Sequence, residues 1–260
     1  MGVYLEDHPP ARQQYLPVRR AAVSGAIVLH TAENMADLDG ADAGAEDVAA
    51  FIAARRDAAG SYHSVVDSDS IVQVGRYEWE MFHEGTGGNR WSLGLAFACN
   101  ATQWPVLPEA WFVGALRYGA IEAANMARWV AATVGVSVPS QRITVAQYRA
   151  GRPGFVGHAE LDPARRSDPG PEFPWDEYMQ LFERAIRPGV PPPNGELLML
   201  YHEAMAEVDE LYRAYRGVLP GLAERRAWGR DLAQKMFALG EDPRATLVFI
   251  EFALRRESEG

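Results

Sequence analysis

Lysine is almost missing from this 260-residue chain: of its 25 basic residues only Lys235 is a lysine, the rest being arginine. That bias reflects the coding habits of a GC-rich genome rather than a physical need. Acidic residues number 35, giving a formal net charge of −10, and no basic block stands against that background. A phosphate-neutralising surface is therefore excluded, and with it nucleic acid as a partner. Cysteine is equally scarce. Cys99 is alone, so no intrachain disulfide can form, and its apolar neighbours mark it as a small buried hydrophobe. No run reaches the length of a membrane-spanning helix. Residues 1–20 carry acidic groups and three prolines where a secretory leader needs an apolar stretch. Glu6 stands where a myristoylation signal after Gly2 wants Ser or Thr. The expectation is synthesis in the cytoplasm without a signal peptide, so that action elsewhere needs another route of release.

What the chain does have is core. Apolar residues make up 48% of it, with glycine and proline scattered throughout, as in a soluble globular protein of one large domain or two. Residues 1–24 read as an irregular arm. Gly25–Thr31 is a short apolar strand, and a polar, glycine-rich loop follows. Ala45–Ala59 is a helix with Val48, Phe51 and Ile52 on its apolar stripe and Gly60 as its stop. Tyr62–Asp67 and Ile71–Gly75 read as a hairpin turning at Ser68-Asp69-Ser70. A loop over Glu78–Asn89 precedes Ser92–Cys99, a continuous apolar strand of the central kind. Pro108–Val134 is the clearest helix, with Leu116, Ala120, Ala123, Ala127 and Val130 at steps of three and four and Gly135 ending it. Ile143–Arg149 and Trp175–Ile186 are shorter helices. Strands alternating with helices predict an α/β fold, a central sheet covered on its faces.

A proline-rich stretch over 188–195 reads as a stiff linker. It divides a first domain, 1–187, from a C-terminal module, 196–260. In the module Leu197, Tyr201, Ala204, Val208, Leu211 and Tyr215 step by four and three, a heptad-like seam. Pro220 and Pro243 mark the starts of two further helices. A small three-helix unit is expected, and self-association is one use of such a stripe.

The densest chemistry lies between Gly157 and Pro171. His158 and Asp168 stand in a segment too rich in proline and charge to be a helix. Pro169-Gly170-Pro171 then holds the backbone in a fixed turn. A rigid loop with one imidazole and one carboxylate supplies two of the three protein ligands of a catalytic zinc ion, whose fourth position is left to water. His30, at the end of the first strand, is the candidate for the third. Spacing alone also leaves room for two unrelated surface residues.

The constellation of His30-Thr31, Gly157-His158 and Asp168-Pro169-Gly170-Pro171-x-Phe173 resembles the zinc amidases that cut N-acetylmuramoyl-L-alanine. That group includes phage lysozyme-type amidases, cell-wall-recycling amidases and peptidoglycan recognition proteins. The resemblance runs over roughly residues 20–186. It implies a central mixed β-sheet flanked by helices, with zinc as cofactor held by His30, His158 and Asp168. It also gives Tyr62, of the Tyr62-His63 pair, a place over the zinc water, steering it or binding the oxyanion. His63 falls on the opposite face by strand alternation and reads as structural. Arg166 stands where the family often carries a lysine, a cation for the developing oxyanion. His83, in Phe82-His83-Glu84-Gly85, resembles the Trp-His-x-Gly that lines the substrate cleft, which implies substrate contact. Asn89-x-x-Ser92-Leu93-Gly94 matches a further pattern and reads as fold-defining turn chemistry.

One position departs from the recycling amidases. They carry a glutamate where this chain has Ala96, so the general base falls to the tyrosine-using arrangement, to Glu33 or to Glu84. The resemblance thus implies a peptidoglycan hydrolase cleaving the amide between N-acetylmuramic acid and L-alanine. The expected setting is a phage endolysin reaching the wall after release, through a holin. A cytoplasmic recycling amidase and a non-catalytic peptidoglycan-binding protein are the alternatives. Wall binding, self-association and contact with another lysis protein are all open to residues 196–260.

Overall fold

A computed structural model of the chain describes residues 15–19, 21–38, 42–55 and 60–187. The expected linker and C-terminal helical module lie outside the described residues. In chain order the elements are β1 (Tyr15–Leu16), β2 (Ala26–Thr31), α1 (Gly44–Ala54), β3 (Ser64–Val66), β4 (Ile71–Gln73), β5 (Glu80–Met81) and β6 (Ser92–Phe97). They continue with α2 (Glu109–Val134), α3 (Val145–Arg149), β7 (Gly154–Gly157), α4 (His158–Leu161) and α5 (Trp175–Ile186).

Five strands form a mixed sheet in the order β4-β3-β6-β2-β7. The last four run parallel, and β4 closes the edge antiparallel to β3, as the hairpin reading expects. Strands β2 and β6 are buried throughout, which is why both read as unbroken apolar runs: each has a layer on either side. Ile27, Leu29, Leu93, Leu95, Phe97 and Val66 point to one face and pack against α2 and α5. Ala26, Val28, Val65 and Ala96 point to the other, beneath α1, α3 and α4. Alternation places His30 on this second face, near the carboxyl end of β2. Carboxyl ends of parallel strands are where α/β sheets place ligands.

On the first face α2 lays Leu116, Ala120, Ala123, Ala127 and Val130 against the sheet. Tyr178 and Phe182 of α5 are fully buried in the same core. Burying a side chain of that size stabilises by about 2 kcal/mol, so α5 belongs to the domain and a boundary before residue 175 would remove part of its core. Among the described residues no helix is long and apolar enough to cross a membrane.

The structure departs from the sequence reading in four places. The arm contains β1, which pairs with β5 inside the expected loop, Tyr15 opposite Met81. Helix α1 ends at Ala54 because Arg55 turns to an extended conformation, and Phe51 is 61% exposed rather than buried. Strand β7, four residues between Pro153 and His158, pairs with β2. The segment expected to hold no helix opens with one turn, α4.

Candidate metal centre

His30 comes from β2, and His158 is the first residue after β7, so the sheet itself brings the two rings to one edge of the same face. Asp168 closes the loop after α4. Its carbonyl accepts the Ala159 N–H at 2.6 Å, and the next carbonyl, of Pro169, accepts from the Trp104 indole at 2.7 Å. Gly170 has φ 104°, and a Cβ there would lie 2.3 Å from the Ala101 carbonyl oxygen, so only glycine lets the turn pass. The Pro-Gly-Pro motif is thus a seat for the carboxylate.

Three atoms converge: His30 Nδ1 lies 3.0 Å from His158 Nδ1 and 2.9 Å from Asp168 Oδ2, and His158 Nδ1 lies 3.0 Å from that same oxygen. All three residues are buried, and they form the one group of potential metal ligands among the described residues. A tetrahedral ion with bonds of about 2 Å sets its ligand atoms about 3.3 Å apart, so the triangle fits such an ion with a few tenths of an ångström of relaxation. The outer side of His158 is fixed: its Nε2–H donates to the Glu84 carbonyl at 3.0 Å, which leaves Nδ1 bare. His30 Nε2 lies 3.3 Å from His83 Nδ1.

Burial, followed by the charge of His158, pushes the His30 imidazole down to about 4, so the ring is neutral, as a ligand must be. Burial works to raise the Asp168 carboxyl, but its close contacts with the His158 and His30 rings outweigh it and hold it well below the carboxylate range. Those contacts call on ring protons that the outer partner of His158 also claims. The three inward atoms therefore call for a proton among them or a cation at their centre.

Tyr62 is half-buried, its ring 5.1 Å from that of His30. Burial, then the charge of Asp168, raises its hydroxyl beyond the ordinary phenol range, with Arg166 partly offsetting them. Arg166 is exposed, its N–H tied to the Asp162 carbonyl at 3.0 Å, and its charge is felt by both His30 and Tyr62.

His83 does not open to solvent. It is 4% exposed and lies behind His30, against Ser92 and Gly94, where the sequence reading expects substrate contact. Burial first, then the charge of His30, keeps it neutral. His63 is wholly internal: its Nδ1 accepts the Gly94 N–H at 2.9 Å, and its Nε2 lies 2.7 Å from the Arg19 guanidinium and 3.1 Å from the Trp79 carbonyl. Residues 92–94 open strand β6, as the apolar run predicts, and the turn of that motif is the 3-10 turn Gly88–Arg90 before it.

Of the acids left open as a base, Glu84 is buried and its carboxylate holds its own loop, accepting from the N–H groups of Thr86, Gly88 and Asn89 and from the Thr86 hydroxyl. Glu33 is exposed, at φ 59°, and accepts from the Asn100 amide at 3.0 Å. Ala96 is the register partner of His30. The Glu84 carbonyl, which meets His158, and Tyr148, whose hydroxyl meets Ser92 beside His83, have no local sequence signal, because each acts through a contact remote in sequence.

No curated protein matches the chain. Solved structures that overlap it include a selenomethionine derivative of AmpD, at 18% identity over 66% of this chain and 91% of that one, TM-score 0.42. Others are the Staphylococcus aureus hydrolase AmiA in complex with its ligand (14%, 66% and 78%, 0.44) and a mutant endolysin from Bacillus subtilis (20%, 64% and 92%, 0.40). Overlaps at these scores carry no argument about activity. The profile of the N-acetylmuramoyl-L-alanine amidases matches residues 19–171, a span that holds every strand of the mixed sheet from β2 onward and all three converging side chains. The chain belongs to the N-acetylmuramoyl-L-alanine amidase family and is an amidase.

Proposed function

We propose that this amidase is a zinc-dependent peptidoglycan hydrolase that cleaves the bond between N-acetylmuramic acid and L-alanine, serving a phage as an endolysin. The observation that carries the reading is the buried triangle of His30 Nδ1, His158 Nδ1 and Asp168 Oδ2, no edge of which exceeds 3.0 Å. His30, His158 and Asp168 would hold a zinc ion there, and it would supply an acidified water and an electrophile for the amide carbonyl.

The chain's own residues divide the remaining work. Tyr62 keeps its proton, since burial and Asp168 raise its hydroxyl. It donates a hydrogen bond to the carbonyl oxygen as that oxygen gains charge. Arg166 adds a fixed cation on the same side, and its planar fork offers two donors where a lysine would offer a point charge. Glycoside cleavage would need two facing carboxyl groups at a set separation. Glu84 is engaged in its loop and Asp168 in the ligand triangle, which favours the amide. Ala96 beside His30 favours the endolysin over the recycling amidase, whose glutamate belongs at that position.

Digestion of purified peptidoglycan tests the reading. New N-terminal alanine should appear with no new reducing ends, be abolished by a chelator and return with zinc. New reducing ends without alanine would mean a glycosidase, and amines from other stem residues a peptidase. Turnover of soluble muropeptides but not of intact walls would point to recycling.

A further inference from the structure

Behind His30 runs a buried chain of hydrogen bonds that can be followed proton by proton from its far end. The Gly88 carbonyl can only accept, so the Ser92 hydroxyl, 2.8 Å away, donates to it. Ser92 then has no proton left. Its lone pairs accept from the Tyr148 hydroxyl at 3.0 Å and from His83 Nε2–H at 3.2 Å. With a ring proton committed to Ser92 through Nε2, the imidazole tautomer of His83 has a bare Nδ1, which faces His30 Nε2 at 3.3 Å. His30 therefore carries its proton on Nε2, and its lone pair on Nδ1 faces His158 and Asp168. We propose that His83 is a positioning residue for the metal centre: it fixes the tautomer of His30 and so aims the ligand lone pair at the ion. This rests on the reading of His30, His158 and Asp168 as a zinc site.

The surroundings are shaped for that task. A Cβ at position 94 would lie 2.6 Å from His83 Cγ, so the ring reaches His30 only because β6 carries glycine there. Ser92, two residues earlier on the same face of β6, meets the other ring nitrogen. Asn89 Oδ1 accepts the His83 and Glu84 N–H groups at 2.9 Å each, which sets the loop from which the ring descends. The two ligand imidazoles are thus oriented by different means, His158 by a backbone carbonyl and His30 by a side chain. Only the second can be altered directly by substitution.

The test uses the full chain with His83→Gln, His83→Leu and Ser92→Ala. Glutamine can accept from His30 through its carbonyl and donate to Ser92 through its amide, preserving the direction of the chain; leucine fills similar space and does neither. Three quantities are read: zinc affinity by competition with a chromophoric chelator, the ring-nitrogen NMR spectrum of His30 in the metal-free protein, and Tm. The expectation is that His83→Leu weakens zinc binding by about 10- to 100-fold while His83→Gln stays within about threefold of the parent. His30 should be the Nε2–H tautomer in the parent and in His83→Gln, and a mixture in His83→Leu. If the leucine variant does not fold, Ser92→Ala serves, with His30 losing its single tautomer and zinc affinity falling by about threefold or more. Unchanged affinity together with an unchanged His30 tautomer in the folded variants would overturn the proposal. A parent protein that binds no zinc would instead overturn the metal reading.

Discussion

The His158 ring donates its Nε2 proton to the Glu84 carbonyl, 3.0 Å away and 74 residues distant in sequence. That carbonyl is placed by the Glu84 carboxylate, which accepts from three N–H groups and a hydroxyl of its own loop. A residue whose carboxylate touches no ligand thus governs one ligand's orientation. Glu84→Ala should leave those donors unpaired, cost about 2–3 kcal/mol of stability and weaken zinc binding by about tenfold. His158→Ala, which removes a ligand, should abolish the one zinc per chain that elemental analysis is expected to find in the parent. Full zinc in His158→Ala would dismiss the ligand assignment, and parental affinity in Glu84→Ala would dismiss the link through the loop.

Tyr62→Phe separates catalysis from metal binding. The ring stays beside His30 and only the hydroxyl is lost, so zinc content should be unchanged. A donor that acts mainly in the transition state is worth about a hundredfold or more in turnover. Steady-state kcat on a soluble muropeptide measures it, and near-parental turnover would leave Tyr62 with a packing role alone.

Glu122 supplies a pH dependence of stability away from the metal. It is buried on α2, accepting from Tyr77 at 2.7 Å, from Asn125 at 3.1 Å and from the Ser64 hydroxyl. Burial raises its carboxyl above the ordinary value, and these hydrogen bonds only partly offset it. Between the unfolded and the higher folded pKa the folded state therefore binds more proton than the unfolded state does. The stability it contributes is complete below the unfolded carboxyl pKa and is lost as pH rises through the higher folded value. Glu122→Gln keeps an acceptor and removes the titration. The difference in urea midpoint between variant and parent should therefore move in the variant's favour as pH rises from about 4. A difference that stays flat with pH would show that Glu122 is not the source.

A chain ending at Arg187 should fold, bind zinc and cleave soluble muropeptides, because α5 completes the core on the α2 face. Failure on soluble substrate by a folded, zinc-loaded truncation would make residues 188–260 part of the catalytic unit. Failure on walls alone would give them a role in reaching the substrate.

The fold is legible in the sequence where burial is two-sided or periodic. Strands β2 and β6 show as apolar runs because helices cover both faces, and α2 shows because its alanines and Leu116 recur at helical spacing. Strands β1 and β5 are two residues each and make sense only as a pair 65 or so positions apart, a distance over which no local pattern speaks. Strand β7 hides because glycines bound it and a proline precedes it. The seat of Asp168 can be read from its prolines and glycine, which limit the backbone whatever surrounds them. The place of His83 cannot, since a motif names the residue but not the direction of its ring. That direction is set by Gly94 on another strand.

His30 and His158 are 128 residues apart in sequence and sit at the ends of neighbouring parallel strands, one of them the edge strand β7. An ion held by both would act as a cross-link between the sheet's interior and its rim. It would restrict the unfolded chain as a covalent bridge over a long loop does. Strand β7 is the outermost strand on its side, held beyond β2 only by a single bridge between Phe155 and Arg142, so the ion would brace the part of the sheet most prone to open. Stripping it should then be felt first as faster amide exchange in residues 154–157, before the interior strands are affected and independently of any substrate.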